Sequence, residues 1–157
     1  MNLFEEEIVR FLSVLTKHEV RFILVGGLAV NFHGYSRTTG DVDLWMDESQ
    51  ENRKKLINAL KEFEIEGAEI FLTYPLIAGY SELLLDNGIY VDFMSDLQFF
   101  KQNNFSECYE IADFFKINET IHVPVLHVNK LISEKQQSSR PKDKDDAEQL
   151  IKLHRKN

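Results

Sequence analysis

Residues 22–47 read FILVGGLAVNFHGYSRTTGDVDLWMD, and the two aspartates near the end of this segment, Asp41 and Asp43, restrict the fold more than any other pair in the chain. VRFILV is a β-branched, apolar run with the pattern of a buried strand. It stops at Gly26 and Gly27, which permit a tight turn. LAVNFHG reads as a short helix closed by Gly34, and DVDLWM as the next strand. Side chains alternate between the faces of a strand, so Asp41 and Asp43 point the same way while Val42 and Leu44 point into the core. Two carboxylates held side by side raise each other's pKa, which is costly unless a cation neutralises them. A hard divalent ion such as Mg²⁺ takes oxygen ligands and keeps waters and substrate phosphates in its shell.

The rest of the chain supplies a frame for that strand. Phe4, Ile8, Phe11, Leu12 and Leu15 lie on one helical stripe over about residues 2–17. ENRKKLINALKEFE is a helix with Leu56, Ala59, Leu60 and Phe63 on one face. AEIFLTY, residues 68–74, reads as a strand, and ELLLDNGIYVDFM as two strands joined at DNG, because Asn and Gly accept positive φ. EIADFFKI and IHVPVLHV are two further short strands. NKLISEKQQ and DKDDAEQLIKLH are helices on either side of the turn SSRP. This order predicts an α+β fold with a mixed sheet and helices packed mainly on one face.

With 157 residues, 43% hydrophobic and 28% charged, the chain is expected to be one globular domain. Residues 1–127 form its core and 128–157 a helical segment packed on it. MNLFEEEIVRF lacks the basic start of a secretory signal, and no apolar run approaches the roughly 20 residues of a membrane span, so a cytoplasmic protein is expected. The single cysteine, Cys108, reads as a buried structural thiol. The formal charge of −8 is uneven: residues 1–127 hold 10 Lys/Arg against 21 Asp/Glu, whereas residues 128–157 hold 8 against 5. An acidic body disfavours broad non-specific binding to DNA, while the basic segment suits a phosphate group or an RNA end. A solvated helix face would account for the same lysines.

Asp92, in IYVDFM, is a third carboxylate set among apolar strand residues. If its strand lies beside that of Asp41 and Asp43, the three could hold two metal ions roughly 3.5–4 Å apart, an arrangement suited to in-line displacement at phosphorus. The backbone N–H groups of Gly26 and Gly27 are placed to receive phosphate oxygens. In the C-terminal segment Lys135 shares the inward face of Leu131 and Ile132. Asp146 lies on the stripe of Ala147, Leu150 and Ile151, one turn after Asp143. Snorkelling of Lys135 and a favourable helix-dipole interaction of the aspartates would explain these positions equally well. Arg37 and Arg140 are candidates for bidentate pairing with phosphate, Arg37 alternatively for a salt bridge holding the Asp41 strand. His33 and Trp45 default to packing roles, with base stacking the alternative for Trp45.

VGGLAVNFHGYSRTTGDVDLW, followed some fifty residues later by YVDFM, resembles the nucleotidyltransferase superfamily that includes DNA polymerase β. Within it the segment is most similar to small bacterial proteins related to AbiEii-type toxins. Their RxTxDxD strand matches Arg37, Thr39, Asp41 and Asp43, and their third carboxylate matches Asp92. Their lysine and xDxxD element match Lys135, Asp143 and Asp146. The resemblance implies catalytic, metal-holding Asp41, Asp43 and Asp92 with Mg²⁺ or Mn²⁺. It implies nucleotide binding by Gly26, Gly27, Arg37, Thr39, Lys135, Asp143 and Asp146, the acidic pair positioning Lys135 or substrate. The reaction it implies is transfer of a nucleoside monophosphate from an NTP to a hydroxyl or phosphate acceptor. RNA, especially the tRNA 3′ end, is one such acceptor and a small hydroxylated antibiotic another. A non-catalytic nucleotide-binding or antitoxin-like module with a cognate protein partner is the reading outside enzymology. The chain lacks the serine that many relatives carry after the glycine pair.

Overall fold

The computed structural model describes residues 5–97 and 104–155. Phe4 and the predicted start of the first helix lie outside the described residues. The elements are α1 (Glu6–Lys17), β1 (Phe22–Val25), α2 (Gly26–Phe32), β2 (Asp41–Met46), α3 (Gln50–Glu62), a 3₁₀ helix (Ala68–Leu72), β3 (Glu82–Leu84), β4 (Tyr90–Met94), α4 (Phe105–Glu110), β5 (Asp113–Lys116), β6 (His122–Val125), α5 (Val128–Gln136) and α6 (Pro141–His154). The fold is α+β, as the element order predicts. Among the described residues six strands form one mixed sheet in the order β3-β4-β2-β1-β6-β5. β2 runs parallel to β4 and β1 parallel to β6, while the β1–β2, β3–β4 and β5–β6 pairs are antiparallel.

Period-two alternation decides which face meets which helix. Leu44 sits beside Phe93 in the β2–β4 ladder and beside Leu24 in the β1–β2 ladder. Phe93 packs against Phe11 of α1 at 6.4 Å and Phe71 of the 3₁₀ helix at 5.4 Å, and Phe11 meets Phe63, just after α3, edge-on at 5.1 Å. Each such fully buried side chain contributes roughly 1.5–3 kcal/mol by leaving water, which makes this face the core. The opposite face of β2 and β4 carries Asp41, Asp43 and Asp92.

The segment 68–74 is not a strand. It is the 3₁₀ helix, opened by Gly67 at φ 73° and held by the N–H of Ile70 donating to the Gly67 carbonyl. Its buried residues, Ala68 and Phe71, are three apart, the period of a 3₁₀ turn and not the two of a strand. The buried Arg53 guanidinium donates to the carbonyls of Phe71 and Tyr74 at 3.0 and 2.8 Å, groups a sheet ladder would have needed. The short helix α4 was not anticipated; Asn104 caps it by accepting from the N–H of Glu107 at 2.8 Å. The DNG segment does join two antiparallel strands, and Cys108 is buried. No helix among the described residues is long and apolar enough to cross a membrane.

Candidate active site

The β2–β4 register places the acidic residues. Asp43 and Asp92 are direct partners across two parallel strands, and Asp41 lies two residues before Asp43 on the same face. On its other side Asp43 is paired with Val25, the last residue of β1, so the chain turns into α2 directly against the Asp43 carboxylate. Gly26 occupies that turn with φ 70°, and a Cβ there would overlap Asp43 Oδ2. A Cβ on Gly27 would overlap the Thr39 hydroxyl and lie 3.2 Å from Arg37 Nη1. The glycine pair is therefore required by close approach as well as by turn conformation.

Gly26→Ala is expected to cost about 2 kcal/mol or more, combining left-handed strain with displacement of Asp43. Gly67→Ala, at φ 73° with open space around the added carbon, isolates the strain alone. Urea midpoints measure both, and an equal loss in the two variants would show that the Asp43 contact adds nothing.

These groups line one open cleft of about 390 Å³. Its lining includes Gly26, Gly27, Arg37, Thr39, Asp41, Asp43, Asp92, Lys135 and Asp143, which are all the predicted site residues except Asp146. Asp146 lies behind the wall, with no exposed surface. Its Oδ1 accepts from Arg37 Nε at 2.6 Å, its Oδ2 from Arg37 Nη2 at 2.8 Å, and Lys135 Nζ is 3.3 Å from that Oδ2. Lys135, only 5% exposed, also donates to Asp143 Oδ1 at 3.0 Å, and Arg140 Nε donates to Asp143 Oδ2 at 2.7 Å. Burial opposes ionisation of Asp143, but hydrogen bonds from Ser138, Lys135 and Arg140 outweigh it and hold the carboxyl below its usual range. Lys135 is thus not a snorkelling surface group. Three cations, Arg37, Lys135 and Arg140, share the carboxylates of Asp143 and Asp146 on the α5–α6 wall, opposite the acidic sheet face. The Arg37 fork is committed to Asp146 and its Nη1 also donates to the Thr38 carbonyl, so Arg37 offers a ligand charge and its remaining N–H groups and not a free bidentate pair.

The sheet side is strained in the opposite sense. Burial, then the charges of Asp92 and Asp41, push the Asp43 carboxyl up to about 7 against the pull of Lys135. Burial, together with the charges of Glu82 and Asp41, pushes Asp92 up to about 6, although the Gly79 N–H donates to its Oδ2 at 2.7 Å. Asp92 Oδ1 is buried with no hydrogen-bond partner among the described residues. An all-oxygen donor set, an orphaned carboxylate oxygen and uncompensated repulsion fit a hard divalent cation. Among the described residues, no three acidic, His or Cys side chains are drawn together into a preformed metal cage. The carboxylates share a face and a cleft without closing on a common point.

Sequence reasoning missed Glu82, Gly79, Glu134 and Lys142, which also line the cleft. Glu82 was within reach of hairpin register, because it pairs with Asp92 across β3 and β4. Glu134 follows from its place beside Lys135, and burial raises its carboxyl. Trp45 and His33 are packing residues. The indole donates to the Ser95 carbonyl at 3.0 Å and packs edge-on against Phe105, while the buried His33 Nε2 donates to the Leu126 carbonyl at 2.8 Å. Neither a protein-family model nor a curated protein matches this chain.

Proposed function

We propose that this chain is a divalent-metal-dependent nucleotidyltransferase of the DNA polymerase β-like superfamily, similar to the small AbiEii-related proteins. The supporting observation is the register of Asp43 with Asp92 on adjacent parallel strands, across one cleft from the Lys135 and Arg140 wall. Asp41, Asp43 and Asp92 would hold the Mg²⁺ or Mn²⁺, which when bound neutralises their charge and polarises the phosphate oxygens.

The chain's own groups do the rest. Gly26 and Gly27 line the cleft where a side chain would not fit, so their backbone is what a phosphate would meet there. Lys135 and Arg140 attract the triphosphate, and Asp143 and Asp146 keep that wall in place. The acceptor oxygen forms a bond to the α-phosphorus. The bond from that phosphorus to the α,β-bridging oxygen breaks, pyrophosphate leaves with the electron pair, and the acceptor proton passes to an oxygen of Asp92.

The test is incubation with α-labelled NTPs, Mg²⁺ and candidate acceptors, including total RNA and hydroxylated small molecules. Label is expected to move to an acceptor, to stop with EDTA and to return with excess Mg²⁺. The open spacing of the carboxylates favours one alternative, a nucleotide-binding module without turnover. NTP binding by calorimetry with no transfer to any acceptor would select it.

A further inference from the structure

We infer that the open edge of β3 takes an added strand from another protein, an extended cationic segment that alternates basic and apolar residues. The inference stands apart from the proposed catalysis and concerns a protein partner, not a substrate.

The hydrogen-bond pattern leaves this edge unpaired among the described residues. β3 ends the sheet. The Phe93 N–H donates to the Ser81 carbonyl at 2.9 Å and the Leu85 N–H to the Ile89 carbonyl at 2.8 Å. Bonded and non-bonded pairs alternate in an antiparallel ladder, so Leu83 and Val91 form the bonded pair between these two. Glu82 and Leu84 fall on the alternate positions, where N–H and C=O point away from β4. Unpaired main-chain groups of this kind are a template for an added strand. The other end of the sheet differs. In β5 the same alternation, set by the Ile117 N–H donating to the Ile121 carbonyl at 2.9 Å, turns Phe114 and Lys116 outward. A lysine on an edge guards against strand addition, and β3, with the sequence Glu-Leu-Leu, has neither lysine nor proline.

The side chains select the chemistry of the partner. Residues 70–100 contain Glu82, Asp86, Asp92 and Asp96 and no Lys, Arg or His. Glu82 begins the row Glu82, Asp92, Asp43 on the cleft face. A residue opposite Glu82 on an added strand joins that row, where a basic side chain is attracted and an acidic one repelled. The same carboxylates turn away a nucleic-acid backbone. A second copy of β3 would bring another Glu82 to the same face. Leu84 and Tyr90, paired in the next row of that face, are 53% and 43% exposed. The methylene stems of lysines on the added strand cover such apolar surface while their ammonium groups reach Glu82. Leu83 alternates to the opposite face, beside Val91, and is half-buried. Apolar residues of the added strand extend that face, which is why basic and apolar residues must alternate.

The experiment measures anisotropy of short fluorescent peptides: alternating lysine and valine, the same peptide N-methylated throughout, and alternating glutamate and valine. Wild-type protein is expected to bind the lysine peptide roughly tenfold more tightly than either of the others. Leu84→Pro removes an outward N–H without touching a ladder bond and should erase the preference over the methylated peptide. Glu82→Lys should erase the preference over the glutamate peptide, and it decides the matter if urea titration shows Leu84→Pro to be unfolded. Phe114→Pro, on the β5 edge, should bind as wild type does. Equal binding of the plain and methylated lysine peptides shows attraction by charge alone and overturns the inference. Preferences that survive both β3 variants, or that vanish in Phe114→Pro, overturn it too. So does a failure of wild type to bind the lysine peptide. Concentration-dependent dimerisation relieved by Leu84→Pro, without peptide binding, gives the edge to a second copy and likewise overturns it. NTP binding and transfer are measured separately, and their failure leaves this inference standing.

Discussion

Asp43→Asn is expected to lower nucleotidyl transfer on the order of 10³-fold and, in the same protein freed of divalent ions, to raise stability. Both effects come from one charge. Asp43 lies between Asp92 and Gly26 at the centre of the acidic face, and losing its charge removes a cation ligand and the field that orders the triphosphate. In the metal-free protein that charge is a liability. The carboxyl titrates at about 7 in the folded chain, against the ordinary 3.8 of an aspartate in water. Between those values the folded chain holds a proton that the unfolded chain has lost, so this group's contribution to stability falls as pH rises from about 4 to 7 and stays low above. Asparagine keeps the shape without the penalty. Because the cleft is open to water, the expected gain at pH 8 in EDTA is on the order of 2 kcal/mol, shrinking toward zero near pH 4. Urea titrations across pH give this curve, and a variant no more stable than wild type at pH 8 would show that the repulsion is relieved in another way. Added Mg²⁺ should then stabilise wild type and leave Asp43→Asn nearly unmoved.

Asp146→Ala should be the most destabilising substitution in the cleft region, by about 3–5 kcal/mol. Asp146 is 0% exposed and takes two N–H groups from Arg37 while facing Lys135. Without it the largely buried Arg37 guanidinium keeps only the Thr38 carbonyl and Lys135 is left with Asp143. Removing one member of a buried charge network costs far more than the network contributes against apolar replacements. Asp145→Ala is the control. That neighbouring residue is exposed and accepts from the Tyr35 hydroxyl at 2.7 Å, so its loss should cost less than about 1 kcal/mol. If chemical denaturation gives the two variants similar midpoints, the Arg37–Asp146–Lys135 network is not what joins α6 to the β2 approach. Survivors of Asp146→Ala should bind NTP weakly, since Lys135 loses half of its anchorage.

The two variants divide what a one-dimensional reading reaches from what it does not. Alternation along DVDLWM placed Asp41 and Asp43 together because strand geometry is local, and the DNG turn likewise put Asp92 on a returning strand. The strand expected at 68–74 failed because its burial period is three and because Arg53, fifteen residues earlier in the chain than Ala68, claims its carbonyls. Helix α4 was missed because its six residues show too short a pattern to stand out. Glu82 and Glu134 were missed although hairpin register and the place beside Lys135 pointed to them, and it was the meeting of β3 and α5 with the cleft that made them lining residues.

Local chemistry was sufficient for the α+β class, for the same-face aspartates and for glycine at positions 26 and 27, because dihedral preferences and side-chain alternation act over a few residues. Long-range pairing settled the rest. That β4 would lie parallel to β2 with Asp92 opposite Asp43, that Asp146 would be sealed behind Arg37 and Lys135, and that Tyr90 and Leu84 would stay in water depended on how separate elements met. Those meetings are governed by burial and charge compensation between segments far apart in the chain, and no periodicity within one segment carries that information.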